Sequence, residues 1–135
     1  EMLQLFGYLG RPFASEDLGA KLQSMDALEF EEFVANLFRE AGYAVEITET
    51  TGDHGIDLLM RKDNNLVAVQ CKRWDSAVGE PVIRDFLGAL MGARAISGYV
   101  VTSSTFTSKA MSFAQDKPIK LIDLDALVDM ANQRK

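Results

Sequence analysis

A chain of 135 residues is long enough for one hydrophobic core and too short for two. Its hydrophobic share of 47% and charged share of 25% exclude a disordered chain, and no apolar run reaches the roughly 18 residues that a membrane-spanning helix needs. The net charge of −6 argues against a uniformly basic nucleic-acid binder, but the acidity is concentrated in residues 1–51, with ten acids and three bases. Residues 52–135, with ten acids and eleven bases, can tolerate phosphate.

Cys71 is the sole cysteine, which rules out an intrachain disulfide and points to a cytoplasmic compartment. No basic start leads into an apolar signal segment, and a start at Glu1 rather than Met points to a piece of a longer protein.

Residues 1–25 read as an N-terminal arm or linker remnant. EMLQLFGYLGRPF is broken by Gly7, Gly10 and Pro12, and Ser15 with Glu16 and Asp17 is suited to start a short helix. Residues 26–135 form the expected folded domain. Asp26 predicts an N-cap with Glu29 completing a capping box. Phe30, Phe33, Val34, Leu37, Phe38 and Ala41 then recur at helical spacing as one apolar stripe, until Gly42 ends the helix. At about 100° per residue Glu32 turns away from that stripe and Glu31 sits at its edge, the one acid of the helix able to look toward the core.

Residues 43–49 alternate as a strand, and 50–55 form a turn-rich link. Residues 56–61 and 66–74 are predicted strands of a hairpin turned by Lys62, Asp63, Asn64 and Asn65. Glu80 and Pro81 open a helix predicted through Ala95. Its apolar stripe is Ile83, Phe86, Leu87, Leu90 and Met91, and Gly88 and Gly92 are expected to let another element approach. A short buried strand at 98–102, a helix at 105–114 and a last strand at 119–122 follow, and Asp123 caps a terminal helix ending near Asn132. Short links make the first three strands antiparallel, and helical crossovers make the later ones parallel. The expected fold class is α/β: a mixed five-stranded sheet flanked by helices in the order α-β-β-β-α-β-α-β-α.

Polar residues inside this pattern carry the chemistry. Along 66–74, Gln70 and Lys72 share one face with Ala68 and line a cleft, while Val67, Val69 and Cys71 take the core face. The short hairpin brings Asp57 near that pair. An acid, an amide and an ammonium among Ile, Leu and Val are costly unless something binds them. Asp57 with the Gln70 oxygen makes a modest cation site, and Glu31 improves it, because hard divalent ions prefer oxygen ligands. Lys72 would then orient or deprotonate a water, or stabilise charge on a phosphate.

Each residue also has a plainer use. Asp57 and Lys72 alone read first as a structural ion pair, and Gln70, Glu31 and the surrounding pattern turn the balance toward a site. His54, in a turn, reads as a solvated histidine before a general base or metal ligand. Cys71 alternates inward as a small core residue. Trp74 reads evenly as a packing residue or, with Lys72 and Arg73, as an aromatic against a nucleic-acid backbone. Arg61, Lys62, Arg73 and Arg84 are a phosphate rim or solvated surface charge. Ser103, Ser104, Thr105 and Thr107 either attract an anion at a helix start or simply cap it.

Asp57 followed by a hairpin to Gln70-Cys71-Lys72 resembles the PD-(D/E)xK nuclease signature, and specifically the catalytic domain of Mrr-type restriction endonucleases, in which glutamine replaces the second acid. The likeness runs through Phe30-Glu31, Gly42-Tyr43, Gly52-Asp53, Gly55-Ile56, Arg73, Val78-Gly79, Gly88-Ala89, Val101-Thr102, Phe106-Thr107 and Ala110, across roughly residues 26–115. The resemblance implies hydrolysis of DNA phosphodiester bonds with Mg²⁺ or Mn²⁺, in restriction or in DNA defence and repair. It implies Asp57 as the central metal ligand, joined by the Gln70 side-chain oxygen and the Cys71 backbone carbonyl. Lys72 then positions the attacking water, and Glu31 is an outer acid. Arg73, Arg84, Ser103 and Thr107 are the candidate DNA contacts. An upstream recognition or anchoring domain is expected from the family. Two cuts across a duplex need two active sites, so a homodimer is expected on mechanistic need. The neutral amide at Gln70 supports a second reading, a nuclease-shaped DNA-binding or assembly module that cuts weakly.

Overall fold

The computed structural model describes residues 15–48 and 55–133. In chain order it contains α1 (Ser15–Ser24), α2 (Ala27–Glu40), β1 (Ala44–Ile47), β2 (Leu58–Lys62), β3 (Asn65–Lys72), α3 (Glu80–Gly92), β4 (Ser97–Thr102), α4 (Ser108–Ala114), β5 (Ile119–Ile122) and α5 (Leu124–Gln133). The strands form one sheet in the order β1-β2-β3-β4-β5. As the link lengths predict, β1, β2 and β3 are antiparallel neighbours, whereas β3, β4 and β5 run parallel.

Local chemistry sets the element ends. Asp26 caps α2 by accepting from the Glu29 N–H, and the Glu29 carboxylate accepts in return from the Asp26 N–H, so two otherwise orphaned donors are satisfied. Gly42 leaves the helix at φ 102°. The β2–β3 turn needs positive φ at both central residues, and Asp63 (56°) and Asn64 (70°) supply it. Asp123 caps α5 through the Ala126 N–H, and Thr107, not Thr105, sets the start of α4.

Helices cover both faces of the sheet. On one face α1, α2 and α5 bury Phe30, Leu58, Met60, Val69, Val101 and Leu127, and on the other α3 and α4 bury Phe86, Ile83, Ala68, Val100 and Ala110. Leu18 and Leu22, four residues apart on α1, belong to the first cluster and are fully buried. The division expected after residue 25 therefore does not separate α1 from the core. Residues 1–14, like His54 and Gly52-Asp53 of the link, lie outside the described residues.

Three expectations about packing are corrected. Ala68 does not line a cleft: β3 is central, and a strand covered on both faces buries both of its sides. Met91 is 66% exposed, because α3 turns only Ile83, Phe86 and Leu90 fully inward. Gly88 and Gly92 open onto free space. The close approach is at Gly98 of β4, where an added Cβ would lie 2.6 Å from the Phe86 ring and 2.8 Å from the Ala68 carbonyl oxygen. Gly98→Ala is therefore expected to cost about 1–3 kcal/mol by overpacking. Urea unfolding should show a lower midpoint at unchanged slope, and an unaltered midpoint would mean that Phe86 yields freely.

Candidate active site

β2 starts one residue after Asp57, and that late start opens the site. Asp57 lies one step beyond the Leu58↔Val69 pair, opposite Gln70 at the end of the ladder. Its N–H donates to the Val69 carbonyl (2.8 Å), and its Oδ2 accepts from the Cys71 N–H (2.8 Å). These two bonds fasten the carboxylate against β3 while leaving Oδ1 without a hydrogen-bond partner among the described residues. Thr48 braces the other side: its N–H donates to the Asp57 carbonyl (2.9 Å), and its hydroxyl donates to the carbonyls of Ile56 (2.8 Å) and Asp57 (3.1 Å).

Along a strand, the N–H and C=O of one residue point to the same side. The Cys71 carbonyl thus shares the Asp57 side of β3, past the last β2 pair. The Lys72 carbonyl points the other way, toward β4, and accepts from the Ser103 N–H (3.2 Å) and the Thr102 hydroxyl (2.8 Å).

Glu31 comes from the edge of the α2 stripe and is only 8% exposed; Gln70 is 7% exposed. Burial raises the Glu31 carboxyl above the ordinary glutamate range, and the charges of Asp57 and then Glu32 push it further. Burial also raises Asp57, against the lowering effects of the Cys71 N–H and of Lys72. The Cys71 thiol is held well above its usual range by burial, and then by Asp57 and Glu31. Glu31, Asp57, Cys71 and Lys72 therefore form one electrostatic neighbourhood. Within it, Glu31 Oε1 and Gln70 Oε1 are buried without a hydrogen-bond partner among the described residues, a state that costs roughly 1–3 kcal/mol per group unless something is bound.

Both carboxyls bind a proton more tightly in the folded chain than in the unfolded chain. The stability they contribute is therefore present at low pH and is lost as pH rises through the raised folded values. Glu31→Gln is expected to melt above wild type at neutral pH, with the gap closing toward pH of about 4. Calorimetry across that range checks it, and a variant that melts lower at neutral pH would contradict the burial cost.

Lys72 makes no direct ion pair with Asp57; its Nζ lies over the Trp74 ring, 5.1 Å from the centroid. Among the described residues no three His, Cys, Asp or Glu side chains gather as a metal cluster. A cation here would rely on amide and backbone oxygens beside Asp57 and Glu31.

The remaining candidates have partners within the fold. Arg73 Nη1 donates to the Gln23 carbonyl (3.2 Å) and pairs with Asp75 (2.7 Å). Arg84 pairs with Glu80 (2.6 Å) and lies over Phe113. Ser103 is fully buried and donates to the Trp74 carbonyl (3.0 Å). Thr107 caps α4 by accepting from the Ala110 N–H. The structure thus gathers Glu31, Asp57, Gln70, Cys71 and Lys72, joins Ser103 and Arg73 to the strand end beyond them, and sets Arg84 on α3. Sequence reasoning missed Thr48 and Thr102, whose hydroxyls act on residues 8 to 9 and 30 positions away and leave no local signature.

An acid where a short hairpin strand begins, with an amide and a lysine two residues apart on its partner, defines the restriction-endonuclease-like class of nuclease domains. A profile of the Mrr-type catalytic family, described as restriction endonuclease, matches residues 22–131. The chain belongs to this family. It is 33% identical over 129 residues to the type IV methyl-directed restriction enzyme EcoKMrr of Escherichia coli K12, covering 89% of this chain and 42% of that enzyme. The fold is shared with the DNA modification-dependent restriction endonuclease AspBHI (TM-score 0.71, 16% identity, 98% of this chain and 40% of that one). It is shared also with MspJI restriction endonuclease in complex with a 27-mer oligonucleotide (TM-score 0.63, 19% identity, 89% and 32%).

Proposed function

We propose that this domain hydrolyses phosphodiester bonds of DNA with a divalent cation, Mg²⁺ or Mn²⁺. The observation that carries this reading is the two buried oxygens beside Asp57, Glu31 Oε1 and Gln70 Oε1, that have no hydrogen-bond partner among the described residues. Oxygen-only donors suit a hard cation. Asp57, the Gln70 side-chain oxygen and the Cys71 carbonyl would hold it, with Glu31 as the outer acid. When bound, such an ion supplies positive charge that polarises the phosphate and acidifies water.

The chain's own residues do the rest. The Cys71 N–H fixes the Asp57 carboxylate, so no reorganisation is needed on loading. The Lys72 ammonium orients the attacking water and offsets the charge that grows on the phosphate. Burial around Glu31 and Asp57 keeps the local dielectric low, which strengthens both effects. Because the raised carboxyls must lose protons to take a cation, metal affinity is expected to rise with pH.

The chain spans under half of the Escherichia coli relative. The methyl-directed action in that enzyme's name is carried here as a proposal: this domain cuts, and recognition of modified DNA belongs to a separate domain acting with it. A homodimer, which puts two sites on one duplex, and a cytoplasmic location belong to the same reading. No helix among the described residues is long and apolar enough to cross a membrane. The neutral amide at Gln70 favours the second reading, a DNA-binding or assembly module that cuts weakly. Plasmid nicking with Mg²⁺ or Mn²⁺, set against chelated controls, tests the two: metal-dependent nicks carry the first, and DNA binding without nicks carries the second.

A further inference from the structure

We propose that Trp74 is a positioning residue for Lys72, its indole face holding the ammonium at the site, and that Thr102 and Ser103 lock this arrangement from β4. The proposal rests on the nuclease reading for its consequence, but the contact stands on geometry.

The period of two along β3 sets Gln70 and Lys72 on one side. Trp74 follows the end of β3 and packs against the cluster beneath α3 and α4, so its ring is anchored on one side. Lys72 Nζ lies 5.1 Å from the ring centroid, within the range at which the negative face of an indole attracts a cation. Lys72 makes no ion pair with Asp57, so the indole face is the contact that the ammonium keeps. A lysine stem has four rotatable bonds and loses much rotamer freedom on ordering, and a flat anchored surface reduces that loss at the moment of reaction.

The backbone beneath is held with unusual thoroughness. The fully buried Thr102 hydroxyl and the Ser103 N–H both donate to the Lys72 carbonyl, and the fully buried Ser103 hydroxyl donates to the Trp74 carbonyl. Farther on, the Val78 N–H donates to the Thr105 carbonyl and the Thr107 N–H to the Val78 carbonyl, so the segment after β3 is fastened at both ends. The two carbonyls that carry Lys72 and Trp74 thus share one rigid support. This also gives Ser103 its role, a buried tie beneath the lysine.

Two readouts test the proposal. The chain has a single tryptophan, so ring-current shifts on the Lys72 ε-protons can come from no other indole. Wild type should show these protons shifted upfield by NMR; Trp74→Phe should keep a smaller shift and Trp74→Leu none. In single-turnover cleavage, Trp74→Leu should lose roughly tenfold in rate and Trp74→Phe no more than about threefold, with DNA affinity in Ca²⁺ unchanged in both. Equal losses in the two variants, a loss confined to DNA affinity, or unshifted Lys72 ε-protons in wild type would overturn it. If Trp74→Leu does not fold, the wild-type shift and Trp74→Phe still decide. If wild type does not cut with any metal, the nuclease reading fails, and the Lys72 shift alone rules on the contact.

Discussion

Asp57→Ala is expected to abolish metal-dependent plasmid nicking, a loss of roughly a thousandfold or more, and Lys72→Ala is expected to do the same. The two losses have different causes. The Cys71 N–H of β3 fixes the Asp57 carboxylate, so its removal leaves Gln70 and a backbone carbonyl without the central carboxylate of the site. Lys72 contributes positive charge that acts on Asp57. Neither change touches the apolar clusters, and losing the Oδ2 acceptor costs about 1 kcal/mol at a partly buried amide. The fold should therefore survive, which circular dichroism melts would verify. Asp57→Asn adds a stricter comparison: its side-chain oxygen can still accept from Cys71, so a dead but fully stable Asp57→Asn assigns the loss to charge. Continued cutting by folded Asp57→Ala and Lys72→Ala would remove the proposed site. A wild type that binds DNA and never cuts would favour the assembly reading.

The residues of this site were readable in the sequence for a simple reason. A period-two pattern put Gln70 and Lys72 on one side of β3, and a two-residue turn at Asp63 and Asn64 fixed the register that sets Asp57 beside them. Glu31 was readable from its offset to the α2 stripe, which the capping box at Asp26 and Glu29 anchors. Features that depend on distant partners were not readable. Leu18 and Leu22 show only one apolar step, too short to separate a core helix from an arm until α5 covers it. Ala68 carries no polarity signal that tells a cleft from a second core. Gly88 and Gly98 have the same composition, and only β4 packing on Phe86 makes one of them indispensable. Ser103 and Arg84 are polar types that suit a DNA rim, but one is sealed beneath Trp74 and the other is engaged by Glu80 and Phe113.

Gln70 is where the two functional readings part, and changing it gives the second large effect. The amide oxygen is buried and unpartnered opposite Asp57, yet it brings no charge. Gln70→Ala is expected to weaken Mn²⁺ binding about 10- to 100-fold, the scale on which a group next to a bound ion acts. Gln70→Glu should tighten binding at alkaline pH, because a third carboxylate joins Asp57 and Glu31 around the cation. The metal-free variant should be less stable than wild type at neutral pH, since burial already raises both carboxyls there and the charge of Asp57 raises Glu31 further. Its added carboxyl would also hold a proton, so Mn²⁺ must displace one more, and the pH dependence of affinity steepens. Calorimetric titration of the two variants measures all three effects. If Gln70→Ala binds Mn²⁺ as wild type does, the amide is no ligand, and its orphaned oxygen needs another partner. If Gln70→Glu cuts where wild type does not, the site is complete except for one charge, and the amide itself is what makes the natural domain a binder. If wild type already cuts and Gln70→Glu only lowers the metal concentration required, the amide sets the threshold of an active nuclease.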